Sequence, residues 1–212
     1  MAALLRHFEA LQIDWAPRYL GEDRSHRDIL SYMPGHVPQR WGHFSDAQVA
    51  DAGRLLRAFH DATKTSDLRG TASVVCHNDF GPNNAVFVDE RPVALIDFDM
   101  ATPGEVLDDL GYTAWSWCIS SKEHRPPIHV QARQVRLFVD AYGGLCASSR
   151  VAVIDAVLGR QERNARFWSE VLNNPAATCA TSPDKMPEII EWSRTEQAFV
   201  RANRRQFEEA LA

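Results

Sequence analysis

Apolar residues recur at Leu4, Leu5, Phe8 and Leu11, one stripe of a predicted helix over Ala2 to Gln12 that begins with no capping residue ahead of it. Arg18 to Leu20 and Asp28 to Met33 read as short strands, the second running into Pro34-Gly35. Ser45 with Gln48 three residues on resembles a capping box, and the helix it opens carries Val49, Ala52, Leu55, Leu56, Phe59 and Ala62 on one face. Arg54, Arg57 and Asp61 fall on its wet side. Val74-Val75 is a short apolar entry into a polar loop. Ala85 to Val88 and Val93 to Ile96 alternate as strands around an Asp89-Glu90-Arg91-Pro92 turn. Pro103-Gly104 reads as a break. Helical periodicity then takes over: a helix starting at Asp108-Asp109, one over Ile128 to Tyr142 ended by Gly143-Gly144, one over Ser149 to Leu172, and a last one opened by Pro183. The pattern predicts an α+β protein, mostly helical, with its short strands in the first half.

Bulk properties narrow the function classes. The 212 residues are 45% apolar, enough for a real core, and the formal net charge of −5 comes without a basic cluster, which argues against nucleic acid as the main partner. No apolar run reaches membrane-spanning length and the first residues lack a signal-peptide pattern, so the expectation is a cytoplasmic protein with no membrane partner. Cys76, Cys118, Cys146 and Cys179 are widely spaced, which speaks against a zinc site. Cys76 reads as a small buried apolar residue.

The stretch from Val75 to Asp99 carries the chemistry. Asp79 and Asn84 stand in a loop rich in Gly, Pro and Asn, and Asp97 follows an apolar run at the far end of the predicted hairpin. In-line phosphoryl transfer leaves little covalent work to a protein: it needs an acceptor hydroxyl held in place and phosphate charge neutralised. A carboxylate (Asp79) to take the hydroxyl's proton, an amide oxygen (Asn84) and a second carboxylate (Asp97) for Mg²⁺ meet that need. Singly, each has a plainer reading: Asp79 and Asn84 as turn residues, Asp97 as a cap, His77 as a structural histidine that fixes the start of the loop. The joint spacing is what points to phosphotransfer. A metal-dependent hydrolase built on Asp97 and Asp99 is the weaker rival, because His77 is its only histidine nearby.

These residues resemble the aminoglycoside phosphotransferase and choline kinase-like family, relatives of the protein kinases. His77-Asn78-Asp79-Phe80-Gly81-Pro82-Asn83-Asn84 stands where the family has His-Gly-Asp-Leu-x-x-x-Asn, and Ile96-Asp97-Phe98-Asp99 stands where it has Ile-Asp-Trp/Phe-Glu/Gly/Asp. The resemblance implies Asp79 as catalytic base, Asn84 and Asp97 as magnesium ligands, and ATP (GTP as the alternative) as phosphate donor. It implies that Asp109, in a Pro-x-x-Asp-Leu-like segment, braces the catalytic loop. Leu30 to Gly35 resembles the interlobe segment, so the backbone of Ser31, Tyr32 and Met33 would hold adenine. His60, in a Leu-x-x-Leu-like helix end, reads as a packing residue. The implied fold is a protein kinase-like large helical lobe with a truncated small lobe, residues 1–35 being the remnant and interlobe segment and 36–212 the large lobe.

The family's phosphate loop and strand lysine are not visible: Lys64, Lys122 and Lys185 all follow the interlobe segment. Arg6 and Arg24 are the cations at hand, with surface roles as the simpler reading. Either the reading frame begins upstream or another chain completes the lobe, or the protein is a natural short form, whose uncovered sheet edge a homodimer would hide. The expected function is transfer of a nucleotide γ-phosphate to a hydroxyl of a small molecule. The alternative is a kinase-like binding or regulatory protein with weak or no turnover. For a cationic acceptor, Glu105, Trp115, Trp117, Trp168 and Glu170 are the candidate pocket residues, with core packing as the commoner role for tryptophan.

Overall fold

The computed structural model describes residues 1–38, 42–174 and 181–212; Cys179 lies outside the described residues. Helix α1 (Ala2–Ala10) has no side-chain cap and is held by packing: Leu4, Leu5 and Phe8 are buried. Each buried side chain of this size contributes about 1.5–3 kcal/mol, more than the ~1 kcal/mol a capping residue supplies. Phe8 meets Trp15, Phe59 and Phe98 at ring-centroid distances of 5.1, 5.8 and 5.8 Å. One continuous core therefore joins the expected remnant to the expected large lobe.

Strands β1 (Tyr19–Glu22) and β2 (Asp28–Leu30) form an antiparallel ribbon. Asp23 Oδ1 closes its turn by accepting from the amides of Ser25 and Arg27 at 2.8 and 3.0 Å. Leu20, Ile29 and Tyr32 stay exposed. Helix α2 (Asp46–Thr63) opens on a formed capping box: Ser45 accepts from the Gln48 amide, and the Gln48 side chain accepts from the Ser45 amide. Its apolar face buries Val49, Ala52, Leu55, Leu56 and Phe59.

Strand β3 (Val74–Cys76) pairs with β6 (Thr102–Gly104), and β4 (Ala85–Val88) pairs with β5 (Arg91–Leu95), both antiparallel. Two sequence expectations change here. The hairpin turn is only Asp89-Glu90, both at positive φ (48° and 58°) as a tight two-residue turn demands, and Arg91-Pro92 belong to the strand. Pro103-Gly104 is a strand instead of a break, because an edge strand needs no amide donor from proline on its open side. The other edge of β4 exchanges both Phe87 hydrogen bonds with His36, at 2.8 and 3.0 Å. Gly35 passes so close to the Phe87 carbonyl, at φ 139°, that only glycine fits.

Helix α3 (Val106–Cys118) is buried on every side from Asp109 onward. Around it lie α2, α4 (Ile128–Tyr142) and α5 (Ala147–Leu172), with α6 (Met186–Ala202) against α5 and α7 (Arg204–Leu211) against α4 and α5. The single last helix expected from Pro183 is instead a 3₁₀ turn (Pro183–Lys185) followed by two helices. Asn203 divides them: its amide side chain donates to the Phe199 carbonyl at 2.8 Å, competing with the helical ladder. No helix among the described residues is long and apolar enough to cross a membrane.

Helices α3 and α5 cross closely at Gly111, where an added Cβ would lie 2.6 Å from the Ala156 backbone carbon. Gly111→Ala gains about 1 kcal/mol of helix propensity, but overpacking against backbone costs about 1–3 kcal/mol. A net loss of stability in urea unfolding is expected. A variant more stable than wild type would show that α3 and α5 separate freely.

Candidate active site

Asp109 is the first fully buried residue of α3, and its carboxylate organises the loop that follows β3. Oδ2 accepts from the His77 amide at 2.6 Å and from His60 Nε2 at 3.0 Å; Oδ1 accepts from the Asn78 amide at 2.7 Å. Burial alone would raise its pKa, but the hydrogen bond and charge of His60, the His77 ring and the Asn78 amide outweigh it and hold the carboxyl below its usual value. His60 is buried and passes the network on, its Nδ1 lying 2.9 Å from the Tyr142 hydroxyl.

His77 is fully buried. Nε2 lies 3.1 Å from the Ile96 carbonyl, and Nδ1 faces the Asp79 amide at 3.4 Å. That pairing suits a neutral ring donating at Nε2, and burial pushes its pKa down. The loop then turns at Asn78, whose φ of 64° is tolerated by asparagine and whose side chain donates to the Met100 carbonyl and Thr102 Oγ1.

Asp79 and Asn84 face each other across the loop. Asn84 Nδ2 donates to both the Asp79 carbonyl and Asp79 Oδ2, each at 2.8 Å. The Tyr112 hydroxyl donates to Asp79 Oδ1. The Asn84 carbonyl accepts from the Ile96 amide at 3.0 Å, so the two ends of the β4–β5 hairpin meet and Asp97 follows directly after. Asp97 is exposed at φ 62°. The hard oxygens this stretch offers a divalent cation are Asn84 Oδ1, which accepts from Asn83 Nδ2 at 3.0 Å, and the exposed Asp97 carboxylate; the buried Asn83 Oδ1 has no donor among the described residues.

Asp79 lies on the wall of a cavity of about 570 Å³. Tyr112, Arg160, Arg163, Trp168 and Trp192 also line it. Arg160 Nη2 donates to the Asn78 carbonyl at 2.8 Å, and its guanidinium sits 4.6 Å above the Tyr112 ring. Burial holds the Arg160 guanidinium below its usual value against the opposing pull of Tyr112 and Asp79, and an arginine remains charged all the same. Buried Glu196 accepts from Trp115 Nε1, from Ser120 Oγ and from both the amide and hydroxyl of Ser121. It thereby ties α6, which carries Trp192, to the end of α3.

Of the five residues available to a cationic acceptor, Trp168 alone lines the cavity. Glu105 accepts from Ser73, Glu170 is exposed beside Arg166, Trp117 donates to the Phe80 carbonyl, and Trp115 stacks on Trp192 at 4.7 Å outside the lining. Ser31 is bonded to Arg18 through its amide and its hydroxyl, and Tyr32 is 80% exposed. The ligand atoms of His60, Cys76 and Asp109 also converge, but burial drives the Cys76 thiol well above its usual pKa, and a neutral thiol that donates to the Glu105 carbonyl is a poor metal ligand.

Tyr112 and Arg160 were not singled out by the sequence. Tyr112 stands three residues after Asp109 on the same helix, a spacing that puts both on one face. Nothing local marks Arg160, which reaches the loop from α5.

The sequence profile of the phosphotransferase enzyme family matches residues 65–150, a span that holds Asp79, Asn84, Asp97 and Asp109 and stops short of Arg160. The trifolitoxin immunity protein of Rhizobium leguminosarum bv. trifolii is 27% identical over 232 aligned residues, covering 99% of this chain and 87% of that protein. The architecture, small ribbons beside a large helical lobe, is consistent with a kinase-like fold.

Stability should fall with acid in two steps. His77 has a folded pKa below its usual 6.5, so the unfolded chain binds the extra proton and stability is lost as pH drops below that value. Asp109 has a folded pKa below 3.8, so its contribution persists until more acid conditions. Urea midpoints measured across this range should show the first step, and His77→Gln should flatten it. Unchanged midpoints from about pH 7.5 to pH 5.5 would contradict the neutral buried ring.

Proposed function

We propose that this chain, a relative of the phosphotransferase enzymes, transfers the γ-phosphoryl group of a magnesium nucleotide to a hydroxyl of a small molecule. The observation that carries the reading is the Asp79 carboxylate on the wall of the cavity, held by Asn84 and Tyr112 on a loop that Asp109 clamps. An acceptor hydroxyl in the cavity would hydrogen-bond to Asp79. As its oxygen bonds to phosphorus and the bond to the nucleotide diphosphate breaks, Asp79 takes the proton. The donors from Asn84 and Tyr112 fix the carboxylate's orientation and leave lone pairs for the acceptor.

Asn84 and Asp97 would hold Mg²⁺, which when bound neutralises charge on the transferred phosphate. The backbone of Ser31 to Met33 would bind the base of ATP or GTP. His77 and Asp109 act on the loop's position and touch no reacting atom.

The relative's role as an immunity protein favours a second reading, protection against a toxin, in which the cavity either phosphorylates or only holds its guest. Holding without turnover draws support from Asp79, both of whose carboxylate oxygens already accept hydrogen bonds.

Thermal shift with Mg-ATP and Mg-GTP separates the readings. Asp97→Ala should remove the nucleotide-induced shift. Asp79→Ala should keep it while lowering nucleotide consumption with acceptor by about 10²- to 10⁴-fold. No shift with either nucleotide in wild type would sink the phosphotransfer reading and leave the binding one.

A further inference from the structure

The cavity beside Asp79 has a charge pattern that names a class of guest. Its ionisable lining among the described residues is Asp79, Arg160 and Arg163, with Tyr112 as a neutral donor. Asp79 is already engaged by Asn84 and Tyr112. Arg163 shares its charge with Asp108 at 3.0 Å, outside the cavity lining. Arg160 has one hydrogen bond among the described residues, to the Asn78 carbonyl, and a guanidinium has five donors. A cationic guest would meet two guanidinium groups against a single carboxylate, whose charge two neutral donors already share.

Aromatic faces alone would suit a cation, but here Arg160 itself covers Tyr112. Trp168, Trp192 and Phe167 leave an apolar wall for the body of the guest. The Tyr112 ring separates Arg160 from Asp79, with its hydroxyl on the carboxylate and its face under the guanidinium. A guest that bridges the two therefore has its anionic group close to its hydroxyl.

We propose that the acceptor is a compact hydroxy acid with an aromatic or apolar body, its carboxylate on Arg160 and Arg163 and its hydroxyl on Asp79. The assignment of an acceptor rests on the phosphotransfer reading; the preference for an anion rests on the cavity alone.

Three probes share a phenyl body and a hydroxyl and differ in charge: 3-phenyllactate (anionic), 3-phenylpropane-1,2-diol (neutral) and phenylalaninol (cationic). Calorimetric titration into the full chain, without nucleotide, should rank them in that order, phenyllactate binding about tenfold more tightly than the diol. Arg163→Gln, at an exposed position, and Arg160→Gln should each weaken phenyllactate by about threefold to tenfold and remove most of its advantage over the diol. If Arg160→Gln fails to fold, Arg163→Gln decides alone. Phenylalaninol binding as tightly as phenyllactate, no phenyllactate binding, or wild-type affinity in the folded variants overturns the proposal. Nucleotide consumption is measured separately. Phenyllactate binding without turnover keeps the anion preference and counts against phosphotransfer, whereas turnover of phenylalaninol without phenyllactate binding does the reverse.

Discussion

A single buried carboxylate sets the geometry on which the site depends. Removing a carboxylate from water costs several kcal/mol even after relaxation. Asp109 recovers this through three hydrogen bonds to a charged acceptor, each contributing about 1.5–3 kcal/mol. The hydrogen bonds outweigh the burial cost, in keeping with the lowered pKa of Asp109, and they set position as well. Because two of its three donors are consecutive amides, His77 and Asn78 are fixed in backbone orientation before any side chain of the loop is considered. Asp79 comes next in the chain and inherits that orientation.

From this anchor the network spreads in two directions. Through His77 it reaches the Ile96 carbonyl, and so the segment that presents Asp97. Through Asn78 it reaches Arg160, whose guanidinium donates to the Asn78 carbonyl while remaining charged at the cavity. The electrostatic consequence is large relative to the aromatic one. Two unit charges 4 Å apart interact by about 4 kcal/mol at an effective dielectric of 20, against about 0.5–2 kcal/mol for a cation on an aromatic face. The arginines would therefore decide the sign of a guest, and the tryptophans its shape.

Much of the fold was legible where local chemistry dictates it. The capping box at Ser45 and Gln48 marks the start of α2, and periodicity with Gly143-Gly144 marks α4, because both signals act within a turn or two of helix. Misreadings fell where tertiary pairing overrides local preference: Pro103-Gly104 becomes a strand because β3 offers an edge, and Asn203 divides a helix that periodicity continues. At the candidate site, the spacing within one stretch of chain points to Asp79, Asn84 and Asp97 as candidates. The cavity wall was not legible, since it assembles from α3, α5 and α6, and an arginine on a helix gives no sign of which neighbour it will reach. For Trp115 and Trp117 the core role, the commoner one for tryptophan, is the one observed: α3 is buried on every side from Asp109 onward, and their indole N–H groups fasten Glu196 and the Phe80 carbonyl.

The pairing of β3 with β6 has a further consequence. Cys76 stands opposite Thr102, so the chain leaves this ribbon at His77 and returns to it at Ala101, closing a loop that contains Asp79, Asn84 and Asp97. Arg160, Arg163, Trp168 and Trp192 all lie outside that loop. The machinery that would act on phosphate and the surface that would select its recipient are thus separate lengths of polypeptide, meeting only in space. Arg160 is the exception, because it also holds the Asn78 carbonyl; a substitution elsewhere in α5 or α6 could redraw the cavity wall and leave the ribbon and its loop in register.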